Sequence, residues 1–381
     1  MTTTADLRAR FDVPREVCWL NAAYLTPLPN RTVEAGLAAV RRKQHPWSIR
    51  PADFHPEVDQ AKRLFATLID GSSDCVAITP ASSYGIATIA ANLPVGPGRK
   101  VVVPALEHTS AHHAWVRAAR QGGGRVEVVA RAPGQAWGAA IAAAIDRTTE
   151  IVSVPPNHWS DGARFDLGRI AQACRDNGAK LVIDGTQAIG AMPFSVRAYD
   201  PDFVVCSAYK WLLGPYTLAF FYAAPRWHGI EPLELHPFSR VGARGAEGRL
   251  EPLEELVPDA ARFDMGERSN FVLLPMAIAS LESLLEIGVS EIRDHCDAIS
   301  RRIAEGAARF GYQATPDRVP HMMGLRHPRR LDLVDGRRLQ ASGIHISVRG
   351  DALRISPHVY NDDDDADRLI ASLGDLLAQA A

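Results

Sequence analysis

The chain has 381 residues, of which 46% are hydrophobic and 23% charged, the composition of a folded globular protein and not of a disordered or fibrous one. Its 42 Lys and Arg against 44 Asp and Glu leave a formal charge of −2, which excludes a basic nucleic-acid binder and an acidic tail. The length exceeds what one core usually serves, so two domains in one subunit are expected.

In chain order, Met1 to Phe11 holds no apolar core of signal-peptide length. Val58, Ala61, Leu64, Phe65 and Leu68 recur at helical spacing until Asp70-Gly71 breaks the pattern. Short apolar runs follow at Val76–Thr79, Val101–Val103, Val126–Val129, Ile151–Val154, Leu181–Ile183, Phe203–Cys206 and Leu218–Tyr222. Helix-like stretches separate several of them. One runs from Asp166 to Asn177, with Asp166 as cap and Gly178 as stop. Continuous apolar strands too short for helices predict a mainly parallel sheet covered on both faces, an α/β fold that binds ligands at the carboxyl ends of its strands.

The segment 226–261 is rich in Pro, Gly, Arg and Glu and reads as a long connection. Amphipathic helices dominate from Leu273 onward, with strand candidates at His345–Val348 and Leu353–Ile355 and a helix start at Asp362–Asp365. The expected organisation is a large α/β domain over residues 16–260 and a small α+β domain over 261–381, with 1–15 packed nearby. Cys18, Cys75, Cys174, Cys206 and Cys296 show no CxxC pattern, which argues against disulfides or zinc and suits a reducing compartment. His45 and His112-His113 have no carboxylate or cysteine at ligand spacing, and no metal is expected. No uncharged apolar run approaches the ~20 residues that span a bilayer. A cytoplasmic protein with no membrane or nucleic-acid partner is the expectation.

Two strand ends carry the strongest chemical signal. Leu181-Val182-Ile183 ends in Asp184, and Phe203–Cys206 runs into Ser207-Ala208-Tyr209-Lys210. A carboxylate and an amine at the rims of buried strands are costly unless they serve a ligand or each other. Pyridoxal phosphate needs this combination: a lysine for its imine and an acid against its pyridinium nitrogen. Taken singly, Asp184 reads equally as a turn cap and Lys210 as a solvated lysine at a helix start. Ser82 and Ser83 follow strand Val76–Thr79 at the start of a helical pattern. They read both as N-caps and as part of a phosphate cradle.

Together, Val182-Ile183-Asp184-Gly185-Thr186-Gln187-Ala188 and Ser207-Ala208-Tyr209-Lys210 resemble the class V aminotransferase family of fold-type I pyridoxal-phosphate enzymes. The family includes cysteine desulfurases, selenocysteine lyases, kynureninases and isopenicillin N epimerase-like proteins. The resemblance runs from Trp19-Leu20-Asn21-Ala22-Ala23 to Tyr360-Asn361. It implies a fold-type I subunit with Lys210 as the Schiff-base lysine and Asp184 as partner of the pyridine nitrogen. Gln187 and Asn157 would lie near the phenolic oxygen, with His108 stacked on the ring. Ser82, Ser83, Ser207 and Tyr209 would contact the phosphate. Arg354 would bind the substrate carboxylate beside Asn21 and Ala23, with Arg349 a weaker candidate for that task. The stretch Phe263–Asn270 would reach the phosphate of a neighbouring subunit, through Ser269 or Asn270 because Glu267 replaces the usual threonine. A homodimer with shared sites follows.

The implied activity is turnover at the α-carbon of a small amino acid, by β-elimination, transamination or epimerisation. Kynureninase-type hydrolysis is an alternative, suggested by Tyr209-Lys210 and Trp227-His228; so is a cofactor-binding protein without turnover. A persulfide-forming desulfurase is not expected. Val348-Arg349-Gly350-Asp351-Ala352-Leu353-Arg354 holds no cysteine where such enzymes need one.

Overall fold

The computed structural model describes residues 4–132, 134–246 and 249–378. Its centre is a seven-stranded sheet, β1 (Val76–Thr79), β2 (Lys100–Pro104), β3 (Arg125–Val129), β4 (Thr149–Val154), β5 (Lys180–Asp184), β6 (Phe203–Ser207) and β7 (Ala219–Ala223). The spatial order is β1-β7-β6-β5-β4-β2-β3, and only β7 runs against its neighbours. The carboxyl ends of β1, β2, β4, β5 and β6 therefore share one edge.

Alternation along the strands explains why the sheet is covered twice. Val101, Val103, Val182 and Val205 pack with Ile86, Ile89 and Trp115 of helices Ser82–Asn92 and Thr109–Gly122. Val102, Leu181, Ile183 and Val204 face the other way, into a core with Val58, Phe65, Ile141 and Ile170. Phe65 of helix Pro56–Leu68 stacks on Phe220 of β7 at 4.4 Å. Helix Leu167–Asn177 starts on Asp166, whose carboxylate accepts from the Arg169 backbone N–H. It stops at Gly178, whose φ of +72° is left-handed. Gly85 is required for close approach: a Cβ there would lie 2.6 Å from Val205 of β6.

Among its described residues, the expected segment 226–261 holds only short 3₁₀ turns between β7 and Phe263. A second sheet of four antiparallel strands follows, with Ser347–Arg349 paired to Ala352–Ile355, then Met323–Arg326, then Gln313–Ala314. Helices Val289–Ala308 and Asp363–Ala378 contribute Ile299, Ile303, Leu369 and Leu373 to its own core. The strand candidate His345–Val348 is split: Ile344–His345 pairs with Cys18–Trp19, and Ser347 begins the hairpin.

The apolar core does not break at residue 260. Helix Leu273–Ile287 sends Leu274, Ala277, Leu281 and Leu284 into the core that holds Phe65 and Phe220. From the N-terminal segment, Arg8 donates to Asp365 at 2.8 Å and to the Tyr360 carbonyl at 2.6 Å. Residues 1–3 and 379–381 of the ranges read from sequence lie outside the described residues. Among the described residues no single helix is long and apolar enough to cross a membrane.

Candidate active site

Two adjoining cavities open where the five strand ends meet. The inner one, ≈ 50 Å³, is lined by Ser82, Glu107, Asp184, Ser207 and Lys210 among others. The outer one, ≈ 640 Å³, is lined by Ala23, Tyr24, Tyr216, Arg349 and Arg354 among others. Lys210, His108, Trp159, Gln187 and Tyr209 line both. Lys210 thus stands at the boundary, with a carboxylate on one side and two guanidinium groups on the other.

The chain has five lysines. Lys62, Lys100 and Lys180 pair with Asp264, with Glu127 and Asp146, and with Glu150, while Lys43 is exposed. Lys210 alone lines these cavities, and it forms no ion pair among the described residues. Burial lowers its amine to about 8, against the opposing pull of Asp184; Arg354 and Arg349 add to the lowering. Its Nζ lies 5.4 Å from the centre of the Tyr209 ring, which packs on Tyr216 at 4.5 Å. Burial pushes the Tyr209 phenol up to about 12.

Asp184 ends β5 and accepts from the Thr186 N–H at 3.0 Å, while the Thr186 hydroxyl accepts from the Ser207 N–H at 3.1 Å. These bonds tie the ends of β5 and β6 together. Ser82 is the first residue of its helix, and the cap position belongs to Ala81, whose side chain offers no bond. The Tyr84 N–H donates back to the Ala81 carbonyl at 3.0 Å, which leaves the Ser82 and Ser83 N–H groups for a ligand. Ser83 is exposed and does not line either cavity; Ser82 and Ser207 line the inner one.

Asn157 follows β4 through two prolines and is fully buried, yet neither its amide nitrogen nor its amide oxygen meets a partner. A buried amide left bare is costly, and a ligand with a donor or acceptor would relieve it. Gln187 lines both cavities; its Oε1 accepts from the Trp211 indole at 3.0 Å and its Nε2 donates to the Ala23 carbonyl at 3.1 Å, so half of its capacity is used inside the protein and half is left for a ligand.

His108 lies at the start of helix Thr109–Gly122 without capping it through its side chain. Burial lowers its imidazole; Asp184 opposes this and Lys210 reinforces it. Leu106, two residues earlier, has a left-handed φ of +58°, and its carbonyl accepts from the Trp159 indole at 2.7 Å.

Arg354 is buried, with Nη1 donating to the Trp159 carbonyl at 2.8 Å, Nη2 to Ser347 at 3.3 Å and Nε unpartnered. It has no carboxylate partner among the described residues; Asp362 and Asp365 are taken by Arg8 and Arg15. Burial first, then Arg349, lowers its guanidinium to about 9. Ala23 lines the outer cavity, but Asn21 does not. Asn21 stands one step behind, accepting from Ser347 at 2.9 Å, so it orients the hairpin that carries Arg354.

Ser269 and Asn270 line neither cavity of their own subunit. Ser269 donates to the Phe54 carbonyl at 2.5 Å, and Asn270 accepts from the Val272 and Leu273 N–H groups at the start of a helix. Trp227-His228 also lies elsewhere: the Trp227 indole donates to Asp202 at 2.6 Å, beside the first residues of β6.

Sequence reading gave no role to Glu107, Trp159, Tyr24 or Tyr216. Glu107 adjoins His108, and burial, reinforced by Asp184, pushes its carboxyl up to about 8 despite the bond from the His108 N–H. In its protonated form an acid beside the inner cavity would be a hydrogen-bond donor. Only its adjacency to His108 in the sequence could have signalled it.

Donor set and fold agree. Two hydroxyls and free N–H groups at a helix start suit a phosphate, a carboxylate suits a protonated ring nitrogen, and a depressed amine suits an aldehyde. These residues fit pyridoxal phosphate, and the architecture is that of fold-type I pyridoxal-phosphate enzymes. An apo cysteine desulfurase from Thermococcus onnurineus superposes with a TM-score of 0.88 at 18% identity, over 100% of this chain and 99% of that one. C-DES, in a form with glycine covalently linked to its pyridoxal-phosphate cofactor, gives 0.87 at 18% identity over 97% and 99%. Residues 31–244 match the family described as Aminotransferase class-V, and the chain belongs to that family of pyridoxal-phosphate enzymes. Similar proteins include the uncharacterized aminotransferase YcbU of Bacillus subtilis, 28% identical over 79% of this chain and 79% of that protein. A probable cysteine desulfurase of Methanothermobacter thermautotrophicus is 29% identical over 77% and 72%.

Proposed function

We propose that this enzyme activates the α-carbon of an amino acid, with Lys210 as both cofactor anchor and base. The observation that carries the reading is the position of Lys210 between Asp184 and Arg354, on the wall shared by the two cavities. The cofactor, when bound, supplies an electron sink for charge developing at the α-carbon. The Asp184 carboxylate would hold a proton at the pyridine nitrogen, His108 would serve the ring, and the bare amide of Asn157 would serve the phenolic oxygen. Ser82, Ser207 and the N–H groups of helix Ser82–Asn92 hold the phosphate. Arg354 takes the substrate carboxylate through its fork. The lowered amine of Lys210 is then suited to remove the α-proton near neutral pH.

The reaction classes are β-elimination, transamination and epimerisation. Loss of α-deuterium from a panel of labelled amino acids, read by mass spectrometry for keto acid, pyruvate or inverted product, tests the reading. Retention of deuterium across the whole panel would refute it.

Although several relatives bear the name cysteine desulfurase, we propose that this chain forms no enzyme-bound persulfide. All five cysteines are buried and none lines either cavity. Burial pushes the Cys174 thiol up to about 12 and raises those of Cys18, Cys75, Cys206 and Cys296 as well. Incubation with cysteine should leave the intact mass of the protein unchanged. A stoichiometric gain of one sulfur on Cys296 would overturn this.

We also propose a homodimer in which the stretch around Ser269 and Asn270 serves the partner's phosphate site. Trp47, Leu235 and Leu250 are large apolar side chains left exposed on the single chain, which a partner would cover. Light scattering and assay together should show activity falling as the dimer dissociates on dilution. A fully active monomer is the contrary result.

A further inference from the structure

The hairpin that carries Arg354 carries a second arginine on the same face. Ser347 stands directly opposite Arg354 in the antiparallel register. Side chains alternate along a strand, so Arg349, two residues after Ser347, shares the face of Ser347 and Arg354. Both guanidinium groups line the outer cavity.

Arg349 has no carboxylate partner among the described residues. Its Nη1 makes one long bond, 3.4 Å, to the adjacent Val348 carbonyl, and its Nε is buried without a partner. Its charge lies 5.5 Å from the Trp159 ring centre, a modest anchor. The neighbouring Asp351 pairs with Arg326 at 3.1 Å, which removes the carboxylate closest in sequence. The two acids of the site, Asp184 and Glu107, line the inner cavity and not the outer one.

The outer cavity therefore presents Lys210, Arg354 and Arg349 without one carboxylate of its own. Arg354 is buried and Arg349 half-buried, and two like charges lining one cavity without a carboxylate between them favour a ligand that carries more than one negative charge. We infer that Arg349 binds a second carboxylate, carried on the substrate side chain, so that the enzyme takes a dicarboxylic amino acid. This rests on the amino-acid reading of the site given above. Arg354 receives the α-carboxylate and Arg349 the distal one, with the Trp159 ring supporting the arginine from below. The cavity of ≈ 640 Å³ leaves room for such a side chain.

The test uses the holoenzyme and α-methyl amino acids, which keep the amine, carboxylate and side chain but lack the proton that turnover removes. Calorimetric Kd values are compared for α-methylaspartate against α-methylasparagine and for α-methylglutamate against α-methylglutamine. At least one acid should bind about tenfold or more tightly than its amide. Arg349→Gln should bring that ratio close to one while leaving the affinity for the amide in place, which also shows that the variant is folded. Arg349→Lys should keep part of the preference, and Arg354→Gln should weaken acid and amide alike. A ratio near one in the unaltered enzyme, or a ratio that survives Arg349→Gln, would overturn the inference. Equal binding of acids and amides would leave the α-carbon reading standing. Binding of none of the four would also overturn the inference, and the α-carbon reading would then stand or fall on the deuterium panel.

Discussion

Lys210→Ala should abolish turnover, with a loss of at least 10²–10⁴-fold, about what a positioned general base contributes. It should not abolish cofactor binding. Ser82 begins a helix, Asp184 ends β5 and Ser207 ends β6 three residues before the lysine, and none of them is held in place by the Lys210 side chain. Equilibrium dialysis should therefore find pyridoxal phosphate retained but removable, and the assay should find no product. A variant that kept turnover within tenfold of the unaltered enzyme would remove Lys210 from the chemistry.

Asp184→Asn separates electronics from binding. The amide fills the same space at the end of β5, and its oxygen can still accept from the Thr186 N–H, so the tie between strand ends is kept. What is lost is the negative charge proposed to hold a proton at the pyridine nitrogen. Removing one partner of a buried ion pair costs about 3–5 kcal/mol, which corresponds to a rate loss of about 10²- to 5 × 10³-fold if it falls on the transition state. The expected result is a fall in kcat of that order with the cofactor Kd changed far less. Near-normal kcat would contradict the electronic role.

The parts of the site that the sequence announced lie on buried strands. Asp184 and Lys210 each follow a continuous apolar run, and an ionisable residue at such an end is conspicuous because burying it is costly. The same signal found Arg354, set in the apolar strand Ala352–Ile355. The parts it did not announce come from loops. Trp159, Tyr24 and Tyr216 have no periodicity around them, and their meeting depends on contacts such as the Trp159 indole on the Leu106 carbonyl, 53 positions away. Asn21 lies behind the cavity because Ser347 engages its side chain, whereas Gln187 lines both cavities with half of its amide engaged by Trp211 and Ala23. Helix Leu273–Ile287 reads as part of the second domain by position, yet its mainly apolar surface fits the core around Phe65 and Phe220. Local pattern predicts that a helix is buried, not which core buries it.

The central claim is that this one lysine holds the cofactor. Borohydride reduction of the purified protein, followed by peptide mapping, tests it most directly. The account predicts that the visible absorption disappears and that a single reduced cofactor adduct is found on Lys210. An adduct on Lys43, Lys62, Lys100 or Lys180, or visible absorption that survives reduction with no labelled lysine, would contradict it.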